Sequence, residues 1–208
     1  IPVYKVGIVD YKCGNIRSLF NAFEFIQANP FLVSNAQDFD KATHIVLPGV
    51  GAFGYCIENL RKSTLLEPLS EHVHVNLKPL LGICVGMQML LEQSKELGNY
   101  DGLGWINGSV EELKKNKDDA KIKVPHVGWN AVTFANDSKF FRKEQGYDFY
   151  FDHSYAAQNV PVDNIAGETS HGSRFPSVIR KNNILASQFH PEKSQANGLN
   201  FLKDFLES

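Results

Sequence analysis

Pro79-Leu80-Leu81-Gly82-Ile83-Cys84-Val85-Gly86-Met87-Gln88-Met89-Leu90-Leu91 is the stretch that decides the fold of this chain. Its apolar run ends in Gly-Ile-Cys-Val-Gly, and a helix-like run over 87–92 begins at once. This order predicts a strand, a sharp turn with Cys84 at the apex, and a helix, which is a nucleophile elbow with a thiol in place of a hydroxyl. On this stretch alone, a nucleophile and a buried structural cysteine are equally good interpretations.

The elbow has a specific chemistry. Glycines on both sides of Cys84 let neighbouring backbone approach without a Cβ clash. A thiol at the N-terminus of the next helix meets unpaired N–H groups and the positive end of the helix dipole, which favour the thiolate. The N–H of the following residue, Val85, is placed to stabilise an oxyanion.

The residues before the elbow alternate between strand and helix patterns. Strands are expected over 4–10, 30–33 and 44–47, and helices over 16–26, 56–62 and 65–76. Such alternation predicts an α/β fold with an open, mostly parallel sheet flanked by helices.

The residues after the elbow are rich in strand patterns. Strands are expected over 102–106, 122–125, 129–134, 147–155, 165–169, 177–179 and 184–189, with a final helix over 194–206. The charged segment 114–121 reads as a solvated turn. Without a repeat or a linker, one domain over 1–208 is the simplest organisation, with a β-rich half added to a parallel half.

Bulk properties exclude several classes of protein. The 208 residues have a net charge of −2, which disfavours a nucleic-acid-binding role. No apolar run reaches transmembrane length, and no signal peptide is visible, although the chain begins at Ile1 without Met. The three cysteines, Cys13, Cys56 and Cys84, are widely spaced. Their spacing favours a reducing compartment, here expected to be the cytoplasm, over a disulfide framework or a zinc site.

A cysteine nucleophile needs a base and a group that orients the base. Of the seven histidines, His190 has the strongest context, since it follows an apolar strand and precedes Pro191 and Glu192. In extended backbone, residues two apart point the same way, so Glu192 is expected beside the imidazole. A strand-end histidine beside a surface acid is the simpler alternative. The others are His126 and His153 in aromatic-glycine stretches, His72 and His74 expected on the surface, and His44 and His171 with no obvious partner.

The turn Pro48-Gly49-Val50-Gly51 follows the third predicted strand. If the strands are parallel, it lies at the same sheet edge as Cys84, where open α/β sheets bind ligands. A phosphate loop would need a following Lys-Ser/Thr, which this turn lacks. An oxyanion-stabilising loop therefore fits better, and a plain turn is the alternative.

Taken together, the Gly82 to Gln88 stretch and His190-Pro191-Glu192 resemble the class I, triad-type glutamine amidotransferases, which have a flavodoxin-like fold. Longer stretches resemble the glutaminase subunits of imidazole glycerol phosphate synthases, and the likeness spans the chain. These stretches are Asp10-Tyr11 with Gly14-Asn15, Leu47 to Phe53, Val124 to Asn130, Tyr150 to Tyr155 and Gln188 to Ser194.

The resemblance implies a complete site without a cofactor or metal. Cys84 would attack the side-chain amide of L-glutamine, His190 would act as base and then acid, and Glu192 would orient it. The ammonia would pass to a (βα)₈-barrel cyclase subunit in a heterodimer that makes imidazole glycerol phosphate for histidine biosynthesis; neither nucleic acid nor membrane takes part. The remaining implied residues are Val50, Gly51 and Val85 for the oxyanion hole, Gln88, Ser154 and Tyr155 for the substrate, and Asp10, Asn15, His126, Trp129, Asn130, Tyr150 and Lys193 for the partner interface.

Three residues depart from the pattern of these subunits. Lys12 replaces a small residue, Asp152 replaces an apolar residue, and Val127 replaces a common Met. The first two lie near surfaces that the partner would contact. Related subunits outside histidine biosynthesis are also similar to this chain, so supply of ammonia to a sugar amidotransferase of surface-glycan biosynthesis is the alternative pathway. A cysteine hydrolase or peptidase and a non-catalytic binding module are the alternative classes.

Overall fold

The computed structural model describes residues 3–113 and 122–208, so the predicted charged turn over 114–121 lies outside the described residues. The strands of these ranges are β1 (Val6–Val9), β2 (Phe31–Val33), β3 (His44–Leu47), β4 (Leu80–Ile83), β5 (Gln93–Ser94), β6 (Tyr100–Asp101), β7 (Ser109–Glu112), β8 (His126–Phe134), β9 (Gly146–His153), β10 (Tyr155–Gln158), β11 (Ile165–His171), β12 (Ser173–Lys181) and β13 (Ile184–Ser187). The helices are α1 (Ile16–Phe25), α2 (Phe53–Lys62), α3 (Leu66–His74), α4 (Val85–Met89) and α5 (Gln195–Glu207).

One nine-stranded sheet, in the order β2-β1-β3-β4-β13-β12-β11-β8-β9, runs through the protein. Strands β2, β1, β3, β4 and β13 are mutually parallel. Along the rest of the sheet, β13, β12, β11, β8 and β9 each pair antiparallel with the next strand. The predicted α/β fold is therefore confirmed, and the β-rich half continues the same sheet. A second sheet, β10-β7-β5-β6, was not predicted, because three of its strands are short or polar.

The core lies along the parallel strands. Every residue of β1, β3, β4 and β13 is buried, as expected for strands covered on both faces. Helix α5 buries one apolar stripe that includes Phe201, Leu202 and Phe205. In the described ranges, no helix has the length and apolar character needed to cross a membrane.

Several local predictions were wrong. Residues 102–106 and 122–125 lie in loops rather than strands, and the elbow helix is α4, which begins directly after Cys84 and ends at Met89. His72, expected on the surface, is buried and hydrogen-bonds Asn76. His44 does have a partner, because its Nε2 donates to the Leu206 carbonyl at 3.0 Å.

The order of the sheet creates the candidate site. Strand β4 lies between β3 and β13, and all three run parallel. Their carboxyl ends therefore meet at one edge, where β3 delivers the Pro48 turn, β4 delivers Cys84 and β13 leads to His190.

Candidate active site

Cys84 sits on a strained turn. Its backbone has φ 55° and ψ −113°, a region that residues with a side chain seldom adopt. Its N–H donates to the Ser187 carbonyl at 2.8 Å, which ties the turn to the end of β13. The thiol is thus held at the sheet edge as the elbow pattern predicts.

Close backbone packing explains the glycines around the thiol. A Cβ on Gly86 would lie 2.1 Å from the Leu47 carbonyl oxygen, and one on Gly49 would lie 2.6 Å from the Gly86 nitrogen. Both distances are too short for any side chain. The elbow and the Pro48 turn therefore pack backbone to backbone beside Cys84.

His190 and Glu192 form a buried pair. The His190 Nδ1 lies 2.8 Å from Glu192 Oε1, and the side chains are 4% and 1% exposed. The sequence argument placed Glu192 in extended backbone, but it lies in a 3₁₀ turn, Pro191–Lys193, closed by Lys193 N–H donating to the His190 carbonyl at 3.1 Å. The expected pairing exists, and its cause is the turn rather than strand alternation.

The imidazole of His190 is held in its charged form. Burial lowers the pKa of His190, but the negative charge of Cys84, a hydrogen bond to Cys84 and the hydrogen bond and charge of Glu192 together raise that pKa to about 10. At neutral pH His190 is therefore an imidazolium beside the Cys84 thiol. This pair supplies a nucleophilic sulfur and a proton for a leaving group.

A buried glutamine pair holds the other side of the thiol. Gln188 Nε2 lies 3.7 Å from the Cys84 sulfur, and Gln188 Oε1 accepts from Gln88 Nε2 at 3.1 Å. Gln88 Nε2 also donates to the Tyr155 carbonyl at 3.1 Å, whereas its Oε1 is buried and accepts no hydrogen bond from the described residues. That oxygen is therefore a buried acceptor that still lacks a donor. Gln188 was quoted in the sequence motif without a role, because nothing local relates it to Gln88.

A cavity of about 340 Å³ opens onto the thiol. It brings together Cys84, His190 and the residues expected to form the oxyanion hole and the substrate site, and its full lining is Val50, Gly51, Cys84, Val85, Gln88, Glu96, Asp152, His153, Ser154, Tyr155, His190 and Lys193. Sequence reasoning missed Glu96, because no local motif marks it. Burial raises the pKa of Glu96, against a hydrogen bond from the Phe53 backbone, so an incoming cation would favour its ionised form.

Among the residues expected to form the oxyanion hole, Val85 has its N–H engaged elsewhere. The Val85 N–H donates to the Gly49 carbonyl at 3.3 Å, and the Val50 carbonyl accepts from the Cys56 thiol at 3.3 Å. Gly51 has φ 100°, so the loop depends on a glycine conformation there. In this conformation the Val85 N–H is not free to bind an oxyanion.

The residues expected at the partner interface differ in how far they are exposed. Trp129 and Tyr150 face each other across β8 and β9, and Lys193 Nζ lies 5.9 Å from the centre of the Tyr150 ring. Trp129 is 48% exposed, and Asp10, Asn15 and Asn130 are half-buried. His126 differs, because it is 4% exposed and bonds His153 instead of reaching the surface. The expectation that His126 belongs to the partner interface stays a prediction, and its side chain lies beneath that surface.

The family comparison covers nearly the whole chain. The model of the family described as glutamine amidotransferase class-I matches residues 8–208. The imidazole glycerol phosphate synthase subunit HisH of Methanocaldococcus jannaschii is 42% identical, over 97% of this chain and 98% of that protein. HisH of Geobacter sulfurreducens is 41% identical over 98% of both chains, and HisH 1 of Campylobacter jejuni strain RM1221 is 39% identical over 97% of this chain and 98% of that protein.

Solved structures share the fold at low identity. PurLQS from Thermotoga maritima superposes with a TM-score of 0.76 at 17% identity, over 99% of both chains. A structure described as a glutamine amidotransferase gives a TM-score of 0.75 at 17% identity, over 97% of both chains.

Proposed function

This chain belongs to the class I glutamine amidotransferase family, and from that premise we propose that it is the glutaminase subunit of an imidazole glycerol phosphate synthase. It hydrolyses L-glutamine to glutamate and ammonia, and a cyclase partner uses the ammonia in histidine biosynthesis. The observation that carries the proposal is that Cys84 and His190 line a cavity that fits one amino acid, while Glu192 holds His190. Residues 1–208 would form one amidotransferase domain.

In the proposed first half-reaction, the Cys84 thiolate attacks the side-chain carbonyl carbon of glutamine. The carbonyl electrons move to oxygen and form a tetrahedral oxyanion. His190 donates its proton to the departing nitrogen, so that ammonia leaves and a γ-glutamyl thioester remains. Glu192 holds His190 Nδ1 throughout and thereby keeps Nε2 for proton transfer.

In the second half-reaction, the neutral His190 takes a proton from water as that water attacks the thioester. The Cys84 thiolate leaves, and the new γ-carboxyl group releases its remaining proton to solvent as glutamate departs. The imidazolium and thiolate are restored, which is the charge state that the raised pKa of His190 favours.

The substrate site is proposed to read the amino-acid end of glutamine. Its ammonium group would donate to the open oxygen of Gln88 and pair with Glu96, both at the cavity. Ser154 and Tyr155 would contribute backbone groups. A donor that meets the otherwise unpaired Gln88 oxygen removes the cost of a buried polar atom, which favours glutamine over amides without an ammonium.

The oxyanion loop is proposed to rotate before turnover. Turning the Gly49–Val50 peptide would release the Val85 N–H and present the Val50 N–H beside it. The loop lies against the segment that contains Asp10 and Asn15, because the Tyr11 hydroxyl donates to the Pro48 carbonyl and a Cβ on Gly14 would lie 2.7 Å from Pro48. A partner that contacts this segment would thus act directly on the loop.

The partner is proposed to be a (βα)₈-barrel cyclase in a heterodimer, in the cytoplasm. The relatives are named as subunits of a synthase. Support in this chain comes from the exposed Trp129 beside Tyr150 and Lys193, close to the cavity. Neither nucleic acid nor membrane has a part in the proposal.

Labelling tests the chemistry. An electrophilic glutamine analogue should form a single adduct on Cys84, found by mass spectrometry, and glutamine should protect against it. Cys84→Ala should reduce glutamate release by about four orders of magnitude or more while the thermal midpoint stays near that of the wild type. Labelling that glutamine does not prevent would point to another cysteine hydrolase, and activity retained in Cys84→Ala would refute the assignment.

Capture of the partner tests the pathway. The tagged chain should retain a cyclase barrel from extracts of its source organism, and Trp129→Ala should weaken that capture. Adding the purified barrel with its nucleotide ligand should raise glutaminase turnover. A sugar amidotransferase in place of the barrel would assign the chain to surface-glycan biosynthesis.

A further inference from the structure

Three histidines that take no part in the proposed mechanism lie together beside the cavity at Cys84. His126 and His153 lie opposite each other on β8 and β9, with His126 Nδ1 2.8 Å from His153 Nε2. His171 stacks on His126 with ring centres 4.0 Å apart, and its Nε2 donates to the Lys123 carbonyl. The expectation that His171 has no partner was therefore wrong. His153 itself lines the cavity.

The tautomer of His153 follows from its surroundings. Its Nδ1 lies 2.8 Å from the Tyr155 carbonyl oxygen, which can only accept, so the proton is on Nδ1. Burial lowers the pKa of His153 to about 4, and the charges of His171 and His190 lower it against the effect of the Tyr155 hydrogen bond. The ring is neutral, so Nε2 is an acceptor and His126 Nδ1 must be the donor.

The tautomer of His126 follows in the same way. Burial, with smaller effects of His153 and His171, lowers the pKa of His126 to about 3, so this ring is also neutral. Its Nε2 therefore accepts from Asn130 Nδ2 at 3.1 Å. Asn130 is oriented unambiguously, because its Nδ2 also donates to the Ser170 carbonyl at 2.9 Å and its Oδ1 accepts from the Ala131 N–H at 2.8 Å.

The chain of donors ends at the substrate site. The Tyr155 carbonyl accepts from both His153 Nδ1 and Gln88 Nε2. Gln88 Nε2 gives its second hydrogen to Gln188. Since both amide hydrogens of Gln88 face acceptors, its oxygen is the atom that remains for a ligand. Every hydrogen bond from Asn130 to Gln88 thus has one possible direction.

We propose that Asn130, His126 and His153 are positioning residues for glutamine, which fix the Tyr155 carbonyl and through it the Gln88 amide. The inference rests on the proposed glutaminase function. Loss of the His126 donor leaves His153 Nε2 unpaired, lets that ring turn or change tautomer, and removes one of the two donors that hold Tyr155. The Gln88 oxygen then loses its orientation, and glutamine binds more weakly.

The kinetic test compares two ring replacements. His126→Phe keeps the stacked ring but removes the donor, and it should raise the KM for glutamine about tenfold, the effect of one lost buried hydrogen bond, with kcat changed less than twofold. His126→Asn keeps a donor near the Nδ1 position and should restore much of the affinity. His171→Phe is the matched control, because its ring stacks on His126 outside the chain of donors, and its KM should stay at the wild-type value.

A spectroscopic measurement on the wild type is independent of turnover. Nitrogen-15 shifts of the histidine rings should show neutral His153 protonated on Nδ1 and neutral His126 protonated on Nδ1. The opposite tautomer on either ring would overturn the relay, as would an unchanged KM in His126→Phe or an equal rise in His171→Phe. Absence of any glutamine hydrolysis by the wild type with its cyclase partner and the nucleotide ligand added would instead refute the proposed function and leave the tautomer result standing.

Discussion

The two sides of the Cys84 thiol are prepared to different degrees. On the base side, His190 and Glu192 are buried and paired at 2.8 Å, and His190 is charged. On the oxyanion side, the Val85 N–H is bonded to the Gly49 carbonyl, and Val50 is 46% exposed. The isolated chain therefore holds a charged His190 beside Cys84 while the Val85 N–H that would stabilise the transition state is bonded elsewhere. Such a division would limit glutamine loss until a partner acts on the loop.

Anchoring accounts for the difference. His190 N–H donates to the Tyr150 carbonyl at 3.0 Å, and Ser194 Oγ both donates to the His190 carbonyl at 2.6 Å and accepts from the Tyr150 N–H. The base side is thus tied to β9 and α5. The loop from Gly49 to Gly51 consists of two glycines and an exposed valine, so one peptide rotation can exchange its hydrogen bonds.

Among the changes that compare the two sides, the largest effect is expected when the residue that holds His190 loses its charge. Glu192→Gln leaves the shape of the side chain and removes its charge, so kcat should fall on the order of 10³-fold, as for the orienting acids of other triads. Steady-state glutamate release checks this. Glu96→Gln serves as the contrasting variant, since it should raise KM rather than lower kcat. Equal kcat in Glu192→Gln and wild type would mean that the base side is not what limits chemistry.

The pH profile sharpens the same point. His190 must be protonated to donate to ammonia, and a pKa raised to about 10 means that this form is lost only as the pH rises through about 10. The alkaline limb of kcat, measured at saturating glutamine so that the ammonium of free substrate does not set it, should therefore lie near pH 10. In Glu192→Gln it should move to lower pH, because the hydrogen bond and charge of Glu192 both raise the pKa of His190. A limb near pH 6.5 in the wild type would contradict the charged pair.

Two glycine substitutions compare the packing around the elbow with the packing around the loop. Gly86→Ala places a methyl group 2.1 Å from the Leu47 oxygen and should lower the free energy of unfolding by about 3 kcal/mol or more. Gly51→Ala meets no atom within 4 Å and carries only the strain of a φ of 100°, about 1–2 kcal/mol. Urea unfolding measures both. Equal costs would mean that the two sides do not differ in packing.

The smallest expected effect concerns the loop anchor. Burial raises the pKa of Cys56, so its thiol stays protonated and donates to the Val50 carbonyl. Cys56→Ala removes this donor, and partner-free turnover should rise by up to about fivefold, the equivalent of one net hydrogen bond. Cys56→Ser keeps a donor and should stay near the wild type. A fall in Cys56→Ala would show that the anchor supports the productive state.

The sequence alone predicted the elbow, the pairing of His190 with Glu192 and the position of the Pro48 turn. Each lies within a short stretch, where apolar period, glycine spacing and a following proline act over a few residues. It failed for strands over 102–106 and 122–125, where apolar residues occur in loops, and it missed β5 to β7 because short polar strands carry little pattern. Glu96 was missed because no local motif marks it.

Local sequence pattern predicted the role of each of these residues and the turn that carries it. Only the tertiary structure decided that β13 pairs with β4, which brings His190 beside Cys84 across 106 positions, 190 minus 84. It also decided that His126 turns inward to His153 and that the Val85 N–H donates to the Gly49 carbonyl. Strand pairing and competition for hydrogen bonds depend on groups far apart in the chain, and the periodicity of a single stretch carries no record of them.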